Sequence, residues 1–151
     1  MRDKQAVMPD EAPAIRTIAM PADTNPNGDI FGGWLMSQMD LAAGNVAARR
    51  ARGRTATVAV EAITFLGPVA VGDEVSLFAK MLKVGRTSMR IEVEAWRRAR
   101  ESEATFKVTE ATFTFVAIDD AGRPRAVPTE AWPPAPQQHP APDDAAQPPV
   151  G

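Results

Sequence analysis

The sequence contains no cysteine and no tyrosine, and it contains a single histidine. Without cysteine the chain cannot form disulfides, thiolate nucleophiles or zinc–thiolate sites. The histidine, His139, lies in a proline-rich C-terminal stretch. The predicted folded part therefore has none for a Ser-His-Asp triad, for imidazole acid–base catalysis or for a histidine-ligated metal. Any chemistry must use carboxylates, amides, hydroxyls, Lys and Arg side chains, and backbone N–H groups.

Long apolar runs and a strong charge imbalance are also missing. No stretch approaches the roughly 20 apolar residues that cross a bilayer, and the charged N-terminal segment lacks the apolar run of a signal peptide. The net charge of -2 does not favour a general surface for nucleic acid or acidic membranes. We therefore expect the 151 residues to form one cytoplasmic domain with a modest core.

Both ends of the chain are predicted to be disordered. Residues 1–13 are polar with no hydrophobic period, and residues 129–151 consist mostly of Pro, Ala, Gln and Asp. Neither composition can bury a core. We therefore place the folded domain at residues 14–128.

The folded part is predicted to contain one helix and five strands. Apolar residues recur at helical spacing from about Gly32 to about Arg50, and Gly53 is a plausible stop. Strand-like patterns cover five other segments: Ala14–Met20, Thr55–Leu66, Glu74–Val84, Thr87–Arg98 and Thr105–Ile118. The short turns after the helix predict that successive strands pair as antiparallel neighbours.

The balance of elements predicts an α+β fold. Several long strands present a wide apolar face, and only one long helix is available to cover it. We infer an antiparallel sheet wrapped around one long central helix. Edge strands would be exposed in a single copy, which makes oligomerisation a natural solution.

Asp40 is the first candidate for a functional residue. It lies on a mostly apolar stripe of the predicted helix, with Met36, Ala43 and Ala47. A buried acid is costly without a partner, and Asp is a poor residue for a helix interior. Its alternative role, from the residues alone, is a solvated acid at the edge of the helix.

A family resemblance favours the functional role of Asp40. The stretch Thr24–Asp40, TNPNGDIFGGWLMSQMD, closely resembles the helix start of hotdog-fold acyl-CoA thioesterases, in particular the YciA-like ones. The resemblance covers roughly Ile15 to Pro128. It continues through several further segments: 19–21, Val58–Phe65, Pro68–Asp73, Val84–Ser88 and Gly122–Pro128. Gly67 departs from the family, whose members often carry a basic residue there.

The resemblance implies a fold, an assembly and a reaction. The fold would be a hotdog, a central helix in a curled antiparallel sheet. Two copies would join their sheets edge to edge, and the YciA-like assembly would be a homohexamer, a trimer of such dimers. The active site would lie at the dimer interface and hydrolyse acyl-CoA to CoA and a carboxylic acid. Asp40 would be the catalytic carboxylate, with Asn25 of the neighbouring subunit as its polar partner.

The residue chemistry agrees with this reaction. The N–H of Gly33, with that of Gly32 second, would lie at the positive end of the helix dipole and could stabilise the oxyanion of a reacting thioester. Asp40 could activate water or attack the thioester directly, and the sequence allows both. The alternative role of Asn25 is to cap its own turn. Phe31 and Trp34 could line an acyl tunnel, although the core is the more ordinary place for them.

CoA carries several phosphate charges and needs cationic and N–H donors. The connection between the third and fourth strands supplies candidates in one run: Val84, Gly85, Arg86, Thr87 and Ser88. Arg123 and Arg125 are weaker candidates. The alternative is an ordinary hairpin turn with a solvated arginine. CoA is part of the substrate, and we expect no separate cofactor or metal.

Two other functions are considered. A hotdog dehydratase acting on hydroxyacyl thioesters normally uses a histidine with its acid, and none lies in the predicted folded part. A non-catalytic acyl-CoA-binding or regulatory module is compatible with the fold, because fold alone does not give activity.

Overall fold

The structure is a computed structural model, and it describes residues 7–129. The predicted disorder of residues 1–6 and 130–151 lies outside the described residues, as does His139. Residues 7–13 precede the first strand without forming helix or strand. No helix in the described part of the chain is long and apolar enough to cross a membrane.

Each predicted helix and strand is present. Their bounds are β1 (Ile15–Ile18), α1 (Gly32–Ala51), β2 (Thr55–Phe65), β3 (Glu74–Val84), β4 (Ser88–Arg98) and β5 (Thr105–Ala117). A single turn of 3-10 helix at Pro21–Asp23 follows β1. The hydrophobic periods therefore located the elements to within two residues at each end.

The five strands form one antiparallel sheet in the order β1-β3-β4-β5-β2, and α1 packs against β2, β3, β4 and β5. The inner face of β4 is fully buried under the helix: Met89, Ile91, Val93 and Ala95. The helix contributes a matching buried face: Leu35, Met39, Ala42, Ala43 and Ala47. The alternation of the strands and the helical spacing thus meet in one core, which confirms the predicted α+β fold.

The predicted pairing of β2 with β3 is wrong. β2 pairs with β5, and β3 pairs with β1 and β4. The connection 66–73 crosses the ends of β5 and β4 to reach β3. Three strand spacings amount to about 14 Å, and eight extended residues reach about 26 Å. The eight-residue connection is therefore long enough to pass β5 and β4. Its length alone does not determine whether β2 and β3 are neighbours in the sheet.

The predicted helix stop is displaced by one residue. The left-handed residue at the end of α1 is Arg52, with φ 53° and ψ 46°. The N–H of Gly53 bonds to the carbonyl of Ala48 at 3.2 Å. Gly53 matters for a different reason, since a Cβ there would lie 2.7 Å from Nη2 of Arg125. The glycine permits close approach of that guanidinium.

β2 is an irregular, apolar edge strand. Its register against β5 shifts twice, and Ala62 in the second irregularity has a left-handed φ of 55°. The side chains of Val58, Val60 and Phe65 are exposed. Within residues 7–129 no strand pairs with the outer edge of β2. β2 is therefore one of the exposed edge strands of the kind that makes oligomerisation a natural solution.

Candidate active site

Asp40 is partly buried on the face of α1 that meets β2. The hydroxyl of Thr57 donates a hydrogen bond to its Oδ1 at 2.6 Å. Oδ2 has no hydrogen-bond partner among residues 7–129. The carboxylate is therefore held by one oxygen and presents the other.

Sequence reasoning missed Thr57. It lies on β2, directly opposite the buried Phe115 of β5, and so faces the helix. The available signal was an inward-facing hydroxyl on the strand after the helix. Nothing local to the sequence fixes which strand residue lies opposite Asp40, because that depends on how the helix rests on the sheet.

The start of α1 leaves two backbone donors without acceptors. Phe31 precedes the helix in an extended conformation and provides no side-chain cap. The N–H of Trp34 bonds to the carbonyl of Phe31 at 3.1 Å, whereas the N–H groups of Gly32 and Gly33 have no acceptor among residues 7–129. These free donors at the positive end of the helix suit a developing oxyanion.

Two phenylalanine rings flank those donors. A Cβ on Gly32 would lie 3.3 Å from the ring of Phe65, and one on Gly33 would lie 3.1 Å from the ring of Phe31. Phe31 is 42% exposed and Phe65 is 51% exposed, whereas Trp34 is buried. The core assignment is thus confirmed for Trp34 and wrong for Phe31, which lines the surface beside the helix start.

Asn25 caps its own loop. Its side-chain Oδ1 accepts the N–H groups of Asn27 at 3.0 Å and Asp29 at 3.1 Å. Its backbone N–H also bonds to the carbonyl of Asp29 at 2.7 Å. The side-chain oxygen is therefore occupied, and only the Nδ2 amide of Asn25 is open to a substrate or to a second subunit.

The connection between β3 and β4 is a closed turn with an exposed arginine. The N–H of Gly85 bonds to the carbonyl of Ser88 at 2.7 Å, and the carbonyl of Thr87 accepts the N–H of Ala117 at 2.9 Å. The carbonyl of Arg86 accepts the N–H of Val127 at 2.8 Å, while the Arg86 side chain is exposed. The fold thus joins residues 84–88 to the 123–127 segment, the two regions predicted to bind CoA.

The two arginines of the second region differ. Arg123 is exposed at its surface. Arg125 donates from Nε to the carbonyl of Ile118 at 2.9 Å, and its Nη2 is buried against Gly53 without a partner in the described residues. Nη2 of Arg125 is therefore enclosed at the end of α1, while the residue as a whole is partly buried. The role of Arg125 in CoA binding stays a prediction.

The sheet sets the distance between the Asp40 site and the predicted CoA-binding connection. Thr57, Phe115 and Met89 lie in one row across β2, β5 and β4, and Met89 follows Ser88. Two strand spacings, about 10 Å, therefore separate the Thr57–Asp40 pair from the 84–88 connection. Among residues 7–129 no three His, Cys, Asp or Glu side chains come together as they would around a metal ion.

Comparison with known proteins adds to this geometry. The family profile of the thioesterase superfamily matches residues 27–104. The chain is 57% identical over 126 residues to an uncharacterized acyl-CoA thioester hydrolase of Zymomonas mobilis, covering 83% of this chain and 85% of that protein. It is 54% identical over 119 residues to the acyl-CoA thioester hydrolase YciA of Escherichia coli, covering 77% of this chain and 90% of that protein.

A solved structure has a similar fold. The hexameric thioesterase of Yersinia pestis superposes with a TM-score of 0.77 at 50% sequence identity. The alignment covers 82% of this chain and 100% of that one.

Proposed function

We propose that this chain, which belongs to the thioesterase superfamily, hydrolyses acyl-CoA thioesters to free CoA and a carboxylic acid. The observation that carries the proposal is the Asp40 carboxylate, fixed through Oδ1 by Thr57 and open at Oδ2. Uncapped N–H groups at the start of the same helix supply the complementary charge. A carboxylate and an oxyanion site are the two parts that thioester hydrolysis needs.

The active site requires two copies of the chain. Gly33 and Asp40 are seven residues apart on α1, which separates them by about 10 Å along the helix axis. An oxyanion donor and a base must both lie within about 3 Å of the atoms on which they act. Gly33 and Asn25 of one subunit therefore act with Asp40 of its partner. The exposed apolar edge of β2 provides the surface for such a pairing.

The reaction proceeds by one of two balanced routes. As a general base, Asp40 takes a proton from water, the hydroxyl oxygen attacks the thioester carbon, and the C–S bond breaks. The proton then passes from Asp40 to the leaving thiolate. As a nucleophile, Asp40 attacks that carbon itself and expels the thiolate to form a mixed anhydride, which water then hydrolyses. In both routes the N–H of Gly33, with Gly32 second, stabilises the carbonyl oxygen.

CoA lies across the turn between β3 and β4. Arg86, Thr87, Ser88 and the neighbouring Arg123 offer cationic and hydroxyl donors for its phosphates. We propose that the protein works in the cytoplasm as a trimer of dimers, without a cofactor or metal, since the Y. pestis relative is hexameric.

The decisive experiment measures thiol release from a series of acyl-CoA substrates of different chain length. We expect catalytic turnover with free CoA as a product, in an assembly that light scattering reports as a hexamer. Saturable binding of CoA with no turnover on any substrate would contradict the proposal and favour a non-catalytic acyl-CoA-binding module.

A further inference from the structure

The rim of the sheet beside the β3–β4 turn, residues 83–90, carries three cations and no acid of its own. Lys83, Arg86 and Arg90 all lie within residues 83–90, and all three are exposed. The strand register places Lys83 directly opposite Arg90. Like charges directly opposite each other in a sheet are destabilising. An anionic ligand placed between them would remove that repulsion.

These two cations lie on the outer face of the sheet. Arg90 alternates with the buried Met89 and Ile91, whose side chains point to the helix. Lys83, as the cross-strand partner of Arg90, shares its face. Asp40 lies on the inner face. A ligand that reached Asp40 from the turn would therefore have its reacting end under the sheet and its other end over the outer rim.

The acids nearest to this rim do not neutralise it. Arg90 forms an ion pair with Glu61 of β2, in which the two side chains are 47% and 52% exposed. Exposed pairs of this kind are weak, so a phosphate dianion can compete with the carboxylate. Glu92 lies opposite Lys80, one outward-facing pair further from the turn. Lys83, Arg86, Arg90 and Glu61 together leave a net charge of +2.

We propose that Lys83 and Arg90 bind the 3′-phosphate of CoA, while Arg86 at the turn faces the pyrophosphate. The inference rests on the proposed function, because it takes acyl-CoA as the ligand. The 3′-phosphate is the charge that distinguishes CoA from 3′-dephospho-CoA. The rim therefore makes the enzyme selective for complete CoA over its dephosphorylated form.

The test compares binding of CoA and 3′-dephospho-CoA by titration calorimetry, so its outcome does not depend on turnover. Lys83→Ala and Arg90→Ala are each expected to raise the Kd for CoA about fivefold, with a change of less than about twofold for 3′-dephospho-CoA. Glu61→Gln is expected to tighten CoA binding, because it releases Arg90 from a competing carboxylate. Arg100→Ala, which removes an exposed cation between β4 and β5, is the matched control for net charge.

Three results would overturn the inference. Equal weakening of both ligands would show a general electrostatic attraction, and unchanged CoA binding in Lys83→Ala would place the phosphate elsewhere. A loss of CoA affinity in Arg100→Ala as large as that in Lys83→Ala would also contradict a local site. If the protein binds CoA selectively but hydrolyses no thioester, the proposed function fails while the phosphate site stands.

Discussion

The two ends of α1 differ in how their backbone groups are bonded. At the C-terminal end Arg52 closes the helix in a left-handed conformation, and Arg50 donates to the carbonyl of Pro128 at 2.6 Å. Arg125 packs on Gly53 there, and Arg54 donates to the carbonyl of Asp120 at 3.3 Å. At the N-terminal end no side chain caps the helix. The C-terminal end of α1 is thus held by hydrogen bonds, whereas the N–H groups of Gly32 and Gly33 at the N-terminal end have no acceptor among residues 7–129.

This difference carries a cost in stability. A helix cap typically contributes about 1 kcal/mol, and the start of α1 goes without one. Glycine at its first two positions is also among the weakest helix formers. Both features leave backbone N–H groups accessible, which a substrate carbonyl requires. The comparison teaches that the C-terminal end of α1 serves the fold, whereas the N-terminal end serves the proposed reaction.

The largest expected effect comes from Asp40→Asn. The amide cannot act as a base or as a carboxylate nucleophile, so we expect kcat to fall by about a thousandfold. Thiol release from acyl-CoA measures this loss. The thermal midpoint and the oligomer size serve as controls and should stay near those of the wild type. Retained turnover in a folded oligomer would remove Asp40 from the mechanism.

The second largest effect is expected from a substitution at Thr57, which tests its role as a positioning residue. Thr57→Val keeps the shape of the side chain but cannot donate to Asp40, and we expect kcat to fall about tenfold with little change in KM. Thr57→Ser should recover most of the lost rate, because it restores the hydroxyl. If valine and serine behave alike, the hydrogen bond to Asp40 has no part in catalysis.

Alanine in place of glycine at the open end of α1 should separate activity from stability. In Gly33→Ala the new Cβ would lie 3.1 Å from the half-exposed ring of Phe31, which can move aside. Alanine is the better helix former by up to about 1 kcal/mol, so the thermal midpoint should hold or rise. The methyl group and the displaced ring would crowd the thioester, and kcat/KM should fall about fivefold. A loss of stability with unchanged kcat/KM would contradict the comparison.

The same substitution at the bonded end should give the opposite result. In Gly53→Ala the Cβ would lie 2.7 Å from Nη2 of Arg125, so the enclosed guanidinium must shift. We expect a loss of about 1 kcal/mol in unfolding free energy, measured by urea denaturation, and the smallest change in kcat. Arg125→Ala provides the control, since Gly53→Ala should cost less in that background. An equal cost in both backgrounds would show that the contact is not responsible.

Local patterns predicted the elements, and the short turns correctly predicted the pairing of β3 with β4 and of β4 with β5, but not the partner of β2. The period-two run of β4 and the helical spacing after Gly33 each reflect residues close in sequence, and both are confirmed. The pairing of β2 with β5 joins strands that are distant along the chain. The wrong prediction that β2 pairs with β3 shows the limit of the argument from loop length. A loop of eight residues can either turn back to the neighbouring strand or cross two strands.

The candidate site likewise contains residues that the sequence could predict and residues that it could not. Asp40 and the two glycines at the start of α1 were predicted from the sequence through the family resemblance of the stretch Thr24–Asp40, and the lack of cysteine and of a usable histidine only reduced the competing chemistries. Asn25 was identified too, but the structure shows that its oxygen serves its own loop. Thr57 was missed, and Arg125 was grouped with the exposed Arg123 although its Nη2 is buried against Gly53.

The sequence by itself determined the available chemistry and the extent of each element, since composition and periodicity are properties of neighbouring residues. Only the tertiary structure decided which groups meet. It placed Thr57 against Asp40, set Lys83 opposite Arg90 in the strand register, and buried Nη2 of Arg125 while leaving the start of α1 open. The physical reason is that these relations depend on strand register and on the position of the helix over the sheet, which are settled by packing the whole core at once.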